Sequence, residues 1–217
     1  MSSHPDFPNL TIVDHPLVQH KLSRMRQKDT PDHVFRQLLD EIAQLMAVEV
    51  TKDLPITTKT IETPIEAMDA PVLAEPYPVI VPILRAGLGM SAGLHKMLPE
   101  ASIGHVGVYR DEATHKPVEY LVKLPDIADQ PVILVDPMLA TGGSALFALD
   151  AILKKGAKAS QIRFMALVGA PEGVKAVSDV YPDLPIYLAS LDKSLNVNAF
   201  IVPGLGDAGD RIFGTHA

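Results

Sequence analysis

The chain has no cysteine in its 217 residues, so neither disulfide nor thiolate chemistry is open to it, and a papain-like nucleophile is excluded. A basic excess is missing too: 19 lysines and arginines stand against 26 aspartates and glutamates, for a formal net charge of −7. That balance argues against a broad nucleic-acid-binding face, while leaving room for a local cationic pocket. No uninterrupted apolar run approaches the ~20 residues that cross a bilayer. The opening MSSHPDFPNL lacks the cationic and apolar regions of a secretory signal. A soluble cytoplasmic protein without membrane association is therefore expected. His95, His105 and His115 fall on different predicted elements, and no HExxH spacing occurs, so no metal-ligand set is expected from the chain itself. There is no GxSxG elbow, internal repeat or low-complexity linker.

What is present supports a sizeable core, since 47% of the residues are hydrophobic. The length fits one domain spanning 1–217. Residues 1–70 read as an arm and helix, 71–190 as the core and 191–217 as a loop-rich hood. Thr30-Pro31 suggests a helix start, a capping hydroxyl followed by proline at the first helical position. Val34, Leu38, Ile42, Leu45 and Met46 then recur at helical spacing to about Val50. Ile56 to Ile65 alternates threonine with apolar residues, as an edge strand or a hairpin arm would. From Val79 the pattern becomes strand (Val79 to Leu84), helix (Gly89 to Leu98) and strand (Ile103 to Tyr109). After the polar excursion Arg110 to Pro117, Val118 to Leu124 returns. Strand Val132 to Val135, a helix from Ser144, strand Ile162 to Val168, helix Pro171 to Val180 and a last strand, Ile186 to Ala189, complete the series. Such alternation predicts an α/β fold, a mostly parallel twisted sheet with helices on both faces.

The most informative stretch is Val132 to Ser144, VILVDPMLATGGS. A buried strand ends in Asp136, and a short loop reaches Thr141-Gly142-Gly143-Ser144 at a helix start. Ligands of open parallel sheets bind beyond the carboxyl ends of the strands. A glycine-rich turn opening a helix presents backbone N–H groups and the positive end of the helix dipole to a phosphate. A carboxylate just before it suits sugar hydroxyls or a metal. A P-loop would need lysine where Gly143 stands. The run resembles the phosphoribosyl-diphosphate (PRPP) loop of type I phosphoribosyltransferases. It departs from many of them in having Pro137 where a second acid is common.

Two glycine patterns imitate dinucleotide sites. Gly87, Gly89 and Gly93 are spaced GxGxxxG and follow Arg85, which suits a diphosphate better than a nicotinamide cofactor. Gly204 to Gly209 fits GxGxxG, but only eight residues follow, too few for a βαβ unit. Arg110 opens the loop RDEATHKP, which is equally a solvated hairpin or a mobile flap closing over diphosphate. Lys21, Arg24, Arg26 and Lys28 form a basic cluster read first as a solvated helix face, and second as a subunit or effector contact.

The tail, LNVNAFIVPGLGDAGDRIFGT (Leu195 to Thr215), has few features of regular structure, and such a loop serves a site. Together with HPLVQHKL (His15 to Leu22), VPILRAGLGM (Val81 to Met90) and DPMLATGGS (Asp136 to Ser144), it makes nearly the whole chain similar to uracil phosphoribosyltransferases. The resemblance implies transfer of the phosphoribosyl group of PRPP to uracil N1. It implies Arg85 and Arg110 on PRPP, with Asp136, Pro137, Met138, Leu139, Ala140, Thr141, Gly142, Gly143 and Ser144 around its ribose and 5′-phosphate. Uracil contacts map onto Ile201, Gly206, Asp207 and Ala208, with Asp207 also near PRPP and its metal. Arg110, Asp136 and Asp207 become the catalytic group. A Mg²⁺ cofactor is implied, held largely by substrate oxygens. The arm and the apolar leading helix suggest a homo-oligomer, at least a dimer, and the resemblance brings in the GTP effector of some relatives. Phe200 departs from the family's usual tyrosine, and Val197-Asn198 from a more acidic pair. A pyrimidine regulator that binds RNA is the alternative from another class, disfavoured by the net charge. A purine or orotate phosphoribosyltransferase is the third.

Overall fold

The structure, a computed structural model, describes residues 3–110 and 117–215. The chain enters through a short hairpin, β1 (Ser3–His4) and β2 (Phe7–Ile12), followed by α1 (Pro16–Arg26) and α2 (Asp32–Val50). An antiparallel arm comes next, β3 (Ile56–Glu62) and β4 (Ala67–Leu73). The core begins with β5 (Val79–Leu84), α3 (Leu88–Met97), β6 (Ser102–Ile103), β7 (His105–Arg110) and β8 (Pro117–Lys123). It continues through β9 (Val132–Val135), β10 (Met138–Leu139), α4 (Gly143–Lys154), β11 (Ile162–Gly169), α5 (Pro171–Val180) and β12 (Ile186–Leu191). A final segment holds β13 (Ser194–Leu195), β14 (Ile201–Val202) and α6 (Ala208–Phe213).

The main sheet has the order β1-β2-β12-β11-β9-β5-β7-β8, with β10 added to β11 and β6 to β5. From β2 to β7 its neighbours run parallel, and only the two outermost pairs are antiparallel. Central strands are apolar on both faces because helices cover both. The two-residue period sorts them cleanly. Val132 and Leu134 of β9 pack with Ala148, Leu149 and Ile152 of α4 and with Val174 and Val177 of α5. Ile133 and Val135 face the opposite way, toward Leu39, Ile42 and Met46 of α2 and Met90 and Leu94 of α3. Each fully buried aliphatic contributes about 1.5–3 kcal/mol before conformational entropy is subtracted. Among the described residues, no helix is long and apolar enough to cross a membrane.

The expected α/β architecture is present, with four differences in detail. Pro31, not Thr30, stands at the position before α2. The Thr30 hydroxyl donates to the Arg24 carbonyl at 2.6 Å, using one of the carbonyls that α1 leaves open at its end. Ile186–Leu191 is the main sheet's last strand in chain order, as expected, but β2 pairs beside it in parallel. The first residues of the chain therefore belong to the sheet rather than to an arm. Residues 195–215 are not irregular: they contain the β13–β14 hairpin and α6. The basic cluster is not simply a solvated face, since Lys21 pairs with Glu41 and Arg26 with Asp192. Arg110 and Pro117 pair as the last rung of the β7–β8 hairpin. The flap loop itself, 111–116, lies outside the described residues.

Candidate active site

Beyond the carboxyl end of β9 the chain stays close to β11. The Asp136 N–H donates to the Met165 carbonyl at 3.2 Å, and the Pro137 carbonyl accepts from Leu167 and Val168 N–H at 3.1 Å each. Ala170 N–H donates to the Leu139 carbonyl at 2.9 Å. The loop is thus tied to its neighbour before it turns at Gly142, whose φ of 84° lies in the left-handed region that glycine tolerates. Gly173 of α5 permits the close packing below, because a Cβ there would run into the Leu139 and Ala140 carbonyl oxygens. A cavity of about 150 Å³ results, lined by Asp136 and by Met138 to Ala145. The first turn of α4 opens into it, and first-turn N–H groups have no partner within their own helix.

Asp136 is unusual electrostatically. Burial pushes its carboxyl up to about 8; the Met138 N–H works against the rise, and the nearby Asp207 charge adds to it.

Arg85 follows β5, the strand beside β9. Its turn is held against β9, since a Cβ on Gly87 would lie 2.6 Å from the Val135 carbonyl oxygen. Close packing, not dinucleotide binding, accounts for the glycines here: Gly93 abuts the Asp40 carbonyl of α2 in the same way. The Arg85 side chain is exposed, with its guanidinium 5.5 Å from the centroid of the Phe213 ring on α6.

A second cavity, of about 310 Å³, is lined by Met138, Ala140, Asn198, Ala199, Phe200, Ile201 and Asp207. It shares Met138 and Ala140 with the first. A third, of about 450 Å³, is lined by Arg26, Lys28, Asp210, Arg211 and the run Pro203 to Asp207, and meets the second at Asp207. Asp207 caps α6 by accepting from the Asp210 N–H at 3.0 Å, and Gly206 before it has a φ of 79°.

The structure thus gathers Asp136, Met138 to Ser144, Ile201, Gly206 and Asp207 around adjoining cavities, while Pro137 lines none of them. Arg85 lines none of the three, and Ala208 is fully buried beside them. Nothing is described of the Arg110 side chain. Sequence reasoning missed Ala199, the non-glycine residue with positive φ (60°), and missed the double duty of Met138 and Ala140. Among the described residues, no three histidines, cysteines or acids gather to hold a metal. The pair Asp136 and Asp207 suits a cation that arrives with its substrate, since Mg²⁺ commonly takes one or two carboxylates beside phosphate oxygens and water.

The fold is that of phosphoribosyltransferases: the purine phosphoribosyltransferase from Pyrococcus horikoshii aligns over 72% of this chain and 84% of its own, with a TM-score of 0.50 and 19% identity, a likeness of fold alone. The AQ2163 protein from Aquifex aeolicus is much nearer, with a TM-score of 0.90 and 34% identity over 96% of this chain and 99% of that one. The family profile for uracil phosphoribosyltransferase matches residues 12–215. Uracil phosphoribosyltransferases from Rhodospirillum centenum and Burkholderia ambifaria are 60% and 57% identical over 215 residues, covering 99% of this chain and 100% and 99% of theirs. The chain belongs to the uracil phosphoribosyltransferase family.

Proposed function

We propose that the adjoining cavities divide the family's reaction, in which the phosphoribosyl group of PRPP passes to N1 of uracil and gives UMP and diphosphate. The supporting observation is the shared wall: Met138 and Ala140 line both the cavity at the start of α4 and the one under Ile201 and Asp207. A ribose lying along that wall has its 5′-phosphate on one side and the base on the other.

In this reading, Thr141 to Ser144 hold the 5′-phosphate through peptide N–H groups at the positive end of α4. Asp136 accepts from the ribose hydroxyls. Arg85 and Arg110 attend the diphosphate from the ends of β5 and β7. Uracil presents acceptor, donor and acceptor along one edge, and the peptide groups of Ile201 and of Gly206 to Ala208 match them. The bond from C1 to diphosphate breaks first, its electrons leaving with the diphosphate, and N1 then closes on the oxocarbenium-like centre as its proton is lost. The protein's part is orientation and charge neutralisation rather than a nucleophile. Asp207 would be the protein carboxylate beside a Mg²⁺ brought in with PRPP, and the ion would supply neutralisation of charge on the leaving diphosphate.

Purified protein given uracil, PRPP and Mg²⁺ is expected to release UMP and diphosphate in equal amounts; chelation should stop the reaction and added Mg²⁺ restore it. Absence of UMP under these conditions contradicts the assignment. The β3–β4 arm supports a homodimer, because Ile56 and Ile65 on it are 71% and 90% exposed. Sedimentation should show a dimer that becomes monomeric when 56–73 are removed; an unchanged dimer rules the arm out as the contact.

A further inference from the structure

Between β14 and α6, residues 203–207, part of the segment proposed to meet uracil, have no regular structure of their own. Gly204 and Gly206 both lie in the left-handed region, with φ of 63° and 79°. Its shape is imposed from outside, by two arginines. Arg26 at the end of α1 donates through Nη1 and Nη2 to the two Asp192 carboxylate oxygens at 2.7 and 2.6 Å. The same Nη1 donates to the Gly204 carbonyl at 2.7 Å, and the Gly204 N–H donates to Asp192 at 2.8 Å. Both peptide groups of Gly204 are therefore taken by one ion pair. The Ser190 hydroxyl adds a third donor to Asp192, whose side chain is 3% exposed.

Arg211 holds the next residue. Its Nη1 donates to the Leu205 carbonyl at 2.8 Å and its Nη2 to the Gln27 carbonyl at 2.7 Å, with the guanidinium 4.4 Å from the Phe35 ring centroid. Both arginines thus bind Gly204-Leu205 to the C-terminal end of α1. A planar fork that serves two acceptors at once suits this task, and lysine does not reproduce it. A pocket built from peptide groups discriminates only when those groups are held within a fraction of an ångström.

We infer that Arg26, through Asp192, and Arg211 are positioning residues for the base site, presetting the peptide groups of Gly206 to Ala208 so that uracil is bound and cytosine refused. This rests on the assignment of uracil to that segment. Neither arginine needs to touch substrate.

The test measures KM for uracil and for PRPP separately, the uracil-to-cytosine preference and the melting temperature, in Arg26→Ala, Arg26→Lys, Arg211→Met and Ala208→Pro. Loss of charged hydrogen bonds should raise the uracil KM of Arg26→Ala about ten-fold or more and cut the preference by a similar factor, with the PRPP KM within about two-fold. Arg26→Lys should recover part of the loss. Arg211→Met keeps an unbranched stem against Phe35, should shift the uracil KM in the same direction, and carries the test if Arg26→Ala does not fold. Unchanged uracil KM and preference in the folded arginine variants, or equal rises in both KM values, overturn the inference. Ala208→Pro, which removes a peptide N–H of the proposed base site at the first position of α6, where proline is tolerated, separates the two ideas. If it raises the uracil KM while the arginine variants do not, the clasp is wrong and the base site stands. If it also leaves the uracil KM unchanged, the base site is wrong and the clasp falls with it.

Discussion

Asp136→Asn is expected to lower kcat/KM for PRPP by ~10²–10³-fold, the scale seen when one preorganised polar contact to a reacting group is lost, while making the free protein more stable at alkaline pH. Both effects come from one carboxyl. Burial raises it to about 8 from the ordinary 3.8. Below pH 4 the folded and unfolded chains both carry its proton, and there is no penalty. As the pH climbs, the unfolded chain loses the proton first while the folded chain keeps it, so stability falls with pH and the penalty is complete above about pH 8. Asparagine removes that cost. The melting temperature of the variant should match the parent's near pH 4 and exceed it by roughly 5–10 °C above pH 8, as a few kcal/mol would give in a chain of this length. Thermal scans across that range, beside diphosphate-release kinetics, check both halves. Full activity removes Asp136 from the ribose site, and equal stability at pH 8 contradicts the raised carboxyl.

That trade explains why a poorly solvated acid persists at the strand end. In the proposed assignment, ribose hydroxyls offer donors to the ionised form, so PRPP and the proton would compete for the same oxygens. The wild-type KM for PRPP should therefore fall as the pH approaches 8, more steeply than in the asparagine variant.

The cavity proposed for the phosphate was legible because its signal is local. A four-residue apolar strand, an acid and a glycine-opened helix follow within thirteen residues, and strand β9 and helix α5 begin and end where their patterns place them. The left-handed Gly142 follows from the same run. The base half was legible only through resemblance. Its second cavity takes Met138 and Ala140 from one loop and Ile201 and Asp207 from another some sixty residues later, and no periodicity reports that meeting. Helix α1 was read only as a solvated basic face, although Val18, Leu22 and Met25 make a buried stripe at helical spacing. Its basic residues drew attention instead. Whether an arginine faces water or a buried aspartate depends on a partner 166 positions away, so the pairing of Arg26 with Asp192 had no local trace. The outer strand β2 was missed for a similar reason, since six residues holding one proline and one fully buried position carry little pattern.

The claim on which the rest depends is that peptide groups in the C-terminal segment recognise the pyrimidine edge. Peptide N–H and C=O groups cannot be swapped as a side-chain amide can flip, so cytosine, with a donor where uracil has an acceptor, leaves buried groups unpaired. Sites of this kind discriminate by ~10⁴-fold. The direct measurement is a panel of uracil, cytosine, orotate, hypoxanthine and adenine, each supplied with PRPP and Mg²⁺, scored by kcat/KM for diphosphate release. Uracil should exceed every other base by about four orders of magnitude. Comparable rates for cytosine, or a preference for a purine, would contradict the account.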